Sequence, residues 1–362
     1  MNDINFSHCK RNMRTYGGAN GSKIGIIYND ENYMLKFPYT LDGKAKGSYS
    51  NSCISEYVGC HIFESLGFET QETLLGKFND KIVVACKDFV TIDYHLADFA
   101  SLKNSVIDSE NNGYGTELSD ILKTFDEQKQ FEISPDELKA HFWDMFIVDT
   151  FVGNFDRHNG NWGFLVNEKT NSVKLAPIFD CGSCLFPRNT TQEGFREGLT
   201  NEEIINKRLY VYPNSTIKID NNKINTYNFL SQTDNKDCLN SLVKITNKIN
   251  LSTIKNIIEK TPYISDLNKE FLYVTLCDRK EKILQKSIQN NQNLYDKKSI
   301  ERVEGFINLC QKVGVSSLDL SYKKREIDFA YQSLAQNKIP KDLINKLESQ
   351  GLTKDLLKGR HR

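Results

Sequence analysis

The first ninety or so positions carry short apolar runs split by turn residues, and beyond about Asp93 the apolar residues recur at helical spacing. Ser22 to Tyr28 (S-K-I-G-I-I-Y) and Tyr33 to Phe37 (Y-M-L-K-F) flank Asn29-Asp30-Glu31-Asn32, which predicts a β-hairpin. Asn51 to Leu66 sets Ile54, Tyr57, Val58, Ile62 and Leu66 on one helical face. Asn51 or Ser52 is placed to cap that helix, and Gly67 takes the left-handed position after its end. Thr73 to Phe78 and Lys81 to Cys86, split by Asn79-Asp80, predict a second hairpin. The order is strand, strand, helix, strand, strand.

The next part is helical. Thr116 to Phe131 carries Leu118, Ile121, Leu122 and Phe125 on one face. Ser134-Pro135-Asp136-Glu137 is a strong helix start, with a capping serine and proline at the first position. The helix it opens is apolar nearly all round through Phe142, Trp143, Phe146, Ile147, Phe151 and Val152, so it belongs in the middle of a domain. Two short strands follow, around Trp162 to Val166 and Val173 to Phe179. Residues 186 to 235 read as irregular, and helices resume from near Asp237 to about Gln289. Asn290-Asn291-Gln292-Asn293 reads as a polar break before a few short helices between Ile300 and Leu357. The pattern predicts an α+β chain in three parts: a strand-rich 1–92, a helical 93–290 and a helical extension 291–362.

Composition narrows the class. Lys+Arg and Asp+Glu each number 47, so a protein that works by coating nucleic acid or an anionic membrane is excluded. A hydrophobic fraction of 39% with only 7 prolines excludes a disordered chain. No apolar run reaches the length of a membrane span, and Met1 to Arg11 lacks the apolar core of a leader peptide. Nine scattered cysteines then read as reduced thiols, which gives a cytoplasmic expectation and leaves leaderless delivery into another cell open.

The most informative stretch is Gly153-Asn154-Phe155-Asp156-Arg157-His158-Asn159-Gly160-Asn161-Trp162-Gly163-Phe164. A buried helix ends, a polar loop follows and a strand begins, the arrangement of a cleft floor held by rigid elements. Asp156 and Asn161 enclose four residues, so a tight loop can turn both side chains to one cavity. A carboxylate there can take a hydroxyl proton while an amide oxygen binds a hard cation. Downstream, Ile178-Phe179-Asp180-Cys181-Gly182 is an apolar strand ending in a carboxylate that can join the same cation. Upstream, Tyr16-Gly17-Gly18-Ala19-Asn20-Gly21-Ser22-Lys23 is a small-residue turn whose N–H groups can approach phosphate oxygens. Lys36, alone in Met34-Leu35-Lys36-Phe37, needs an acid, and Glu56 on the following helix is placed to supply one. A lysine so held and aimed at phosphates suits phosphoryl transfer.

Each sign has an ordinary structural explanation when taken singly. The glycine turn suits any hairpin, Lys36 can snorkel from an edge strand, Glu56 can sit on a solvated helix face, and Asp180 can form a turn. Their order in one chain is what carries the functional reading. Cys181-Gly182-Ser183-Cys184 has the spacing of a redox pair, but Leu185-Phe186-Pro187-Arg188 after it is not a helix. A zinc site lacks a second ligand pair. His158 stands out from His61, His95 and His141 because it lies inside the polar loop.

Together these residues resemble the HipA-type bacterial serine/threonine kinases, in particular their short forms, over about residues 12 to 288. The Asp-Arg-His loop is also similar to that of phosphatidylinositol kinases. The resemblance implies a two-lobed protein-kinase-like fold, ATP and Mg²⁺ as cofactors, and a serine or threonine of a protein as acceptor. It makes Asp156 the catalytic base and Asn161 and Asp180 the Mg²⁺ ligands, and it sets His158 near the transferring phosphate. Lys36 would contact ATP phosphates, positioned by Glu56. Gly18, Ala19, Asn20, Gly21, Ser22 and Lys23 would form the phosphate loop. Cys86, Lys87, Asp88 and Phe89 would form the hinge that touches adenine through its backbone. Longer members carry an N-terminal subdomain that docks an antitoxin; this chain starts almost at its glycine loop, so that docking subdomain is not expected, while an antitoxin or regulatory partner stays open. Toxin members autophosphorylate a serine in that loop; Tyr16 falls near its place, and Thr15 and Ser22 are the flanking candidates for autophosphorylation. A lipid kinase and an inactive kinase-shaped binding module are the alternatives.

Overall fold

The structure is a computed structural model that describes residues 3–14, 16, 23–41, 49–107, 112–336, 338–339 and 341–356. Two compact units divide the chain, Met1–Ser287 and Ile288–Arg362.

The first unit opens with a five-stranded antiparallel sheet built from β1 (Lys10–Arg11), β2 (Lys23–Tyr28), β3 (Glu31–Lys36), β4 (Thr73–Phe78) and β5 (Lys81–Lys87), in the order β1-β2-β3-β5-β4. Both predicted hairpins form. Their turns place Asn29, Asp30 and Asn79 at φ between 49° and 63°, the left-handed region that Asn and Asp tolerate best among non-glycine residues. One face of the sheet buries Phe6, Ile26, Tyr33, Leu35, Val83 and Ala85 together. The register sets Lys23 directly opposite Lys36, so both lysines project from the same face.

Between β3 and β4 runs helix α1 (Ser52–Ser65), which ends at Leu66 with Gly67 at φ +92°. Its start differs from expectation. Asn51 occupies the cap position, but its side chain donates to the Asn189 carbonyl at 3.0 Å instead of accepting from the helix, because that partner lies alongside. Gly59 lets α1 approach another segment closely: a Cβ there would lie 2.8 Å from both the Cys181 Cβ and the Cys184 Sγ.

The helical part follows with β6 (His95–Asp98), α2 (Phe99–Val106), α3 (Leu118–Glu127) and α4 (Pro135–Val152). Ser134 Oγ accepts from the Glu137 N–H at 3.2 Å, and Gly153 closes α4 in the left-handed conformation at φ +67°. From Phe142 to Val152 every residue of α4 is buried, as its all-round apolar pattern requires. Strands β7 (Gly163–Asn167) and β8 (Ser172–Leu175) complete a sheet in the order β6-β7-β8. They are shorter than expected: Trp162 stacks on Phe99 instead of joining the strand, and Ile178 makes only an isolated parallel bridge with Thr70.

Residues 186–235 are not irregular throughout. They hold α5 (Gln192–Thr200), α6 (Glu202–Asn206), a π-helical turn at Lys207–Val211, the hairpin β9 (Lys218–Ile219) and β10 (Asn222–Lys223), and α7 (Thr226–Gln232). Their Asn and Thr residues serve as caps: Thr191, Asn201 and Asn225 each accept from a first-turn N–H. Helices α8 (Lys236–Lys248), α9 (Leu251–Lys260) and α10 (Asp266–Asp278) follow.

In the second unit, helices α11 (Lys286–Val313), α12 (Leu320–Ala335) and α13 (Lys341–Glu348) supply a separate core of Val303, Phe306, Ile307, Ile327, Leu343, Ile344 and Leu347. The expected break at Asn290–Asn293 is not one, since α11 runs through it. Asn and Gln cost a helix interior only about 0.7 kcal/mol each or less, and continuing hydrogen bonds outweigh that. Among the described residues no helix is long and apolar enough to cross a membrane.

Candidate active site

A cleft of about 980 Å³ in the first unit collects most of the residues that the sequence singled out. Lys23, Lys36, Glu56, Asp88, Phe89, Asp156, His158, Asn161 and Asp180 all line it. Gly18, Ala19, Asn20, Gly21, Ser22 and Thr15 lie outside the described residues.

Lys36, at the end of β3, is held between two carboxylates. Its Nζ lies 3.0 Å from Glu56 Oε2 on α1 and 3.0 Å from Asp180 Oδ1. Burial works against a charged lysine here, but Glu56 and then Asp180 overcome it and raise the Lys36 pKa well above the ordinary value. Asp180 is pushed the other way, to about 2, chiefly by Lys36. The Lys23 pKa is lowered, first by burial and then by Lys36 opposite it. The Asp180 and Glu56 carboxylates offset part of the repulsion between the two lysines.

Asp180 stands at φ +58°, a left-handed conformation that costs an L-residue of order 1 kcal/mol and is held by its surroundings. The Gln71 N–H bonds the Ile178 carbonyl and the Ile178 N–H bonds the Glu69 carbonyl, both at 2.8 Å. The Phe179 ring meets that of Phe89 at 5.6 Å.

The loop after α4 is organised by a buried network that sequence reading did not single out. The Asp149 carboxylate, on the last turn of α4, accepts from Asn154 Nδ2 at 2.8 Å and from Arg157 Nε at 2.9 Å. Asn154 Oδ1 accepts the Asp156 N–H at 3.1 Å. Arg157 then donates through Nη1 to the carbonyls of Asn161 at 2.7 Å and Phe179 at 2.5 Å. One guanidinium therefore joins the backbone at Asn161 to the backbone just before Asp180. Both charges lie in the interior: burial raises the Asp149 pKa against the pull of Arg157, and Asp149 raises that of Arg157 against burial. The polar loop is thus only partly a cleft floor. Asn154, Arg157 and Asn159 are buried as fasteners, while Asp156 and His158 remain half-buried at the cavity. A sequence signal for this exists: Asp149 is a carboxylate in a helix otherwise buried on all sides, which demands a partner.

The remaining groups fall into place around it. Asn161 Nδ2 donates to the Asp156 carbonyl at 2.7 Å, so its Oδ1 is the atom left to face a ligand. Asp156 is fixed at both its N–H and its carbonyl, and burial, the largest influence on it, raises its pKa. His158 Nδ1 accepts the Gly160 N–H at 3.0 Å, which leaves Nε2 as the donor of the neutral ring.

Of the expected hinge, Cys86 and Lys87 do not line the cleft. Cys86 is wholly buried within β5, and the Lys87 N–H and carbonyl already bond the Glu72 carbonyl and Gln71 Nε2. Asp88, Phe89 and Val90 line it instead. Cys181 and Cys184 are free, buried thiols, and Arg157 Nη2 approaches the Cys181 Sγ at 3.5 Å. Among the described residues no three His, Cys, Asp or Glu side chains gather as a metal cluster.

Comparison with known proteins identifies the family and the fold. The family model for the HipA-like C-terminal domain matches residues 16–261. Serine/threonine-protein kinase CtkA of Helicobacter pylori strain J99 is 50% identical over 286 residues, 78% of this chain and 87% of that protein. The crystal structure of a Helicobacter pylori proinflammatory kinase CtkA superposes with a TM-score of 0.74 at 48% identity, covering 80% of this chain and 98% of the other.

Proposed function

The chain belongs to the family of HipA-like kinases, and from that premise we propose that it transfers the terminal phosphate of ATP, with Mg²⁺, to serine or threonine hydroxyls of proteins, itself included. The observation that carries the reading is Lys36 held between Glu56 and Asp180 in the cleft that Asp156 and Asn161 also line.

The residues fit the ligands. Lys23 and Lys36 stand abreast in the cleft, and two cationic side chains so placed suit a polyphosphate. Asn161 Oδ1 and the Asp180 carboxylate are hard oxygen donors. Two protein ligands suit Mg²⁺, which keeps waters and takes phosphate oxygens for its other positions. When bound, the metal neutralises charge on the phosphate oxygens.

The chain's own residues would do the rest. Glu56 aims Lys36 at the phosphates. Asp156 orients the acceptor hydroxyl and receives its proton, and its half-buried site, which raises its pKa, favours that role. His158 Nε2–H donates toward the phosphoryl group. Arg157 keeps the Asn161 and Asp180 segments in register, so most of the rate comes from positioning and electrostatics. Residues 1–92 and 93–290 would form the two lobes, Asp88 to Val90 the adenine edge, and Gly18 to Ser22 the phosphate loop, with Thr15 or Ser22 as the autophosphorylated residue.

The test is incubation with labelled ATP and Mg²⁺ beside a cell lysate. Wild type labels itself and lysate proteins, while Asp156→Ala and Asp180→Ala incorporate less than about a hundredth as much with unchanged far-UV circular dichroism. Labelling by either variant near the wild-type rate refutes the role given to it, and an inert wild type refutes the enzyme reading.

A further inference from the structure

That mechanism gives no task to the one residue of its loop that faces solvent. Among the described residues 141–167, only Phe155 is exposed. Its polar neighbours Asn154, Arg157, Asn159 and Asn161 are buried, while Phe155 itself is 38% exposed. The loop thus hides its amides and its guanidinium and shows water its phenyl ring. Solvation alone favours the reverse. Phe155 also adjoins Asp156, whose side chain lines the cleft, and consecutive Cα atoms stand only about 3.8 Å apart.

A second segment extends this surface. Residues 211–216 run beside the loop: Thr216 Oγ1 donates to the Arg157 carbonyl at 2.7 Å, and a Cβ on residue 153 would lie 3.4 Å from Pro213 Cγ. Phe155 lies in the chain between these two points of attachment. On the facing segment Val211 and Tyr212 are 56% and 45% exposed. The Tyr212 ring is braced edge-on against that of Phe186, with centroids 6.4 Å apart. The outcome is an apolar surface next to Asp156, held from behind and open to water in front.

Its position specifies the occupant. A protein hydroxyl reaches Asp156 on a chain that must pass over the residues flanking Asp156, and Phe155 is the exposed one. An extended chain advances about 3.3 Å per residue, so side chains one or two places from the acceptor come over this surface. We propose that Phe155 and Tyr212, with Val211, form the docking surface for the acceptor peptide and select substrates with a bulky aliphatic or aromatic side chain within two residues of the phosphorylated serine or threonine. The proposal rests on the protein-kinase reading of the cleft.

Steady-state phosphorylation of Ala-rich peptides, each with one central serine, tests this with ATP and Mg²⁺ present. Leu, Phe, Ala or Asp is placed in turn at each of the two positions on either side of the serine. Wild type should favour Leu or Phe over Ala at one or more of these positions by about 5- to 20-fold in kcat/KM, chiefly through KM. Phe155→Ser and Tyr212→Ser should each cut that preference below about threefold, and Phe155→Leu, which keeps an apolar side chain, should retain at least about half of it. The preference is a ratio measured on one protein, so a general loss of activity through poor folding does not imitate its loss. Should Phe155→Ser be inert on every peptide, Tyr212→Ser, farther from Asp156 along the chain, decides. Wild type that accepts the Leu, Phe, Ala and Asp peptides within about twofold overturns the proposal, and so does a preference that survives in the serine variants. A wild type that is dimeric by light scattering, turns monomeric as Phe155→Ser and shows no peptide preference assigns the surface to a second copy of the chain and overturns it too. Wild type that labels lysate proteins but no peptide overturns the proposal and leaves the kinase reading intact, whereas wild type inert toward both overturns the kinase reading and this proposal with it.

Discussion

Replacing Arg157 by Met should destabilise the first unit mainly by stranding a negative charge, and the reason lies in how Asp149 is enclosed. Asp149 is 5% exposed, and its carboxylate receives Arg157 Nε at 2.9 Å, Arg157 Nη2 at 3.3 Å and Asn154 Nδ2 at 2.8 Å. Arg157→Met removes the counter-ion and also the bonds to the Asn161 and Phe179 carbonyls. The variant Asp149→Asn/Arg157→Met loses those same carbonyl bonds but carries no buried charge. Subtracting one from the other cancels the carbonyl losses and isolates the unpaired carboxylate, about 3–5 kcal/mol at pH 7. The pH dependence fixes the cause. Burial already raises the Asp149 pKa above the ordinary carboxylate value, and losing Arg157 raises it further. A group that holds its proton more tightly when folded contributes stability below its unfolded pKa and loses it as pH rises through the folded pKa. The difference between the two variants should therefore be largest near neutrality and shrink toward pH 5. Urea unfolding followed by tryptophan fluorescence is the assay, since the chain has two tryptophans, Trp143 and Trp162, and both are buried in the first unit. A difference below about 1 kcal/mol at pH 7, or one indifferent to pH, would show that Asp149 and Arg157 are not the buried pair described.

Lys36→Met strands Glu56, which is 1% exposed, and should cost about 3–5 kcal/mol, most of it recovered in Lys36→Met/Glu56→Gln; urea midpoints of the two decide this. The same substitution should erase an acid transition: Lys36 lowers the Asp180 pKa to about 2, so the pair's contribution is present above the usual carboxylate value of 3.8 and lost as pH falls from there, a loss that wild type shows and the variant lacks. Gly59→Val forces methyl groups against the Cys181 Cβ and Cys184 Sγ, each only 2.8 Å from where a Cβ on residue 59 would stand, and should lower stability by about 1–3 kcal/mol and reduce labelling; wild-type values for both would show that α1 need not pack so closely. Burial lowers the His141 pKa to about 4, so stability present above its unfolded value of 6.5 should be lost as pH falls through that interval, and thermal scans of His141→Phe should show a flatter profile there.

Local chemistry was readable wherever neighbours along the chain settle it. Asn29-Asp30 and Asn79-Asp80 favour left-handed turns on their own account, so both hairpins were legible. Ser134-Pro135 and Gly153 fixed the ends of α4 because caps act within one helical turn. The order of Lys36, Glu56, Asp156, Asn161 and Asp180 was enough to predict one cleft, and all five line it. The helices between residues 192 and 232 were missed because their Asn and Thr residues cap as readily as they break, and only the packed structure decides which. Arg157 stood within the quoted motif, yet its part depends on Asp149 eight residues earlier and on the Phe179 carbonyl 22 residues later. Phe155 stood in the same motif, yet its exposure is meaningful only once the fold has buried the polar residues around it.

The string of residues by itself determined which groups could perform the chemistry and in what order they meet, because turn, cap and side-chain preferences are short-ranged. Tertiary structure alone decided which polar groups are spent as fasteners and which face the cavity. That division follows from burial: desolvation makes each polar group find a partner, and the partner is chosen by distance in space and not along the chain.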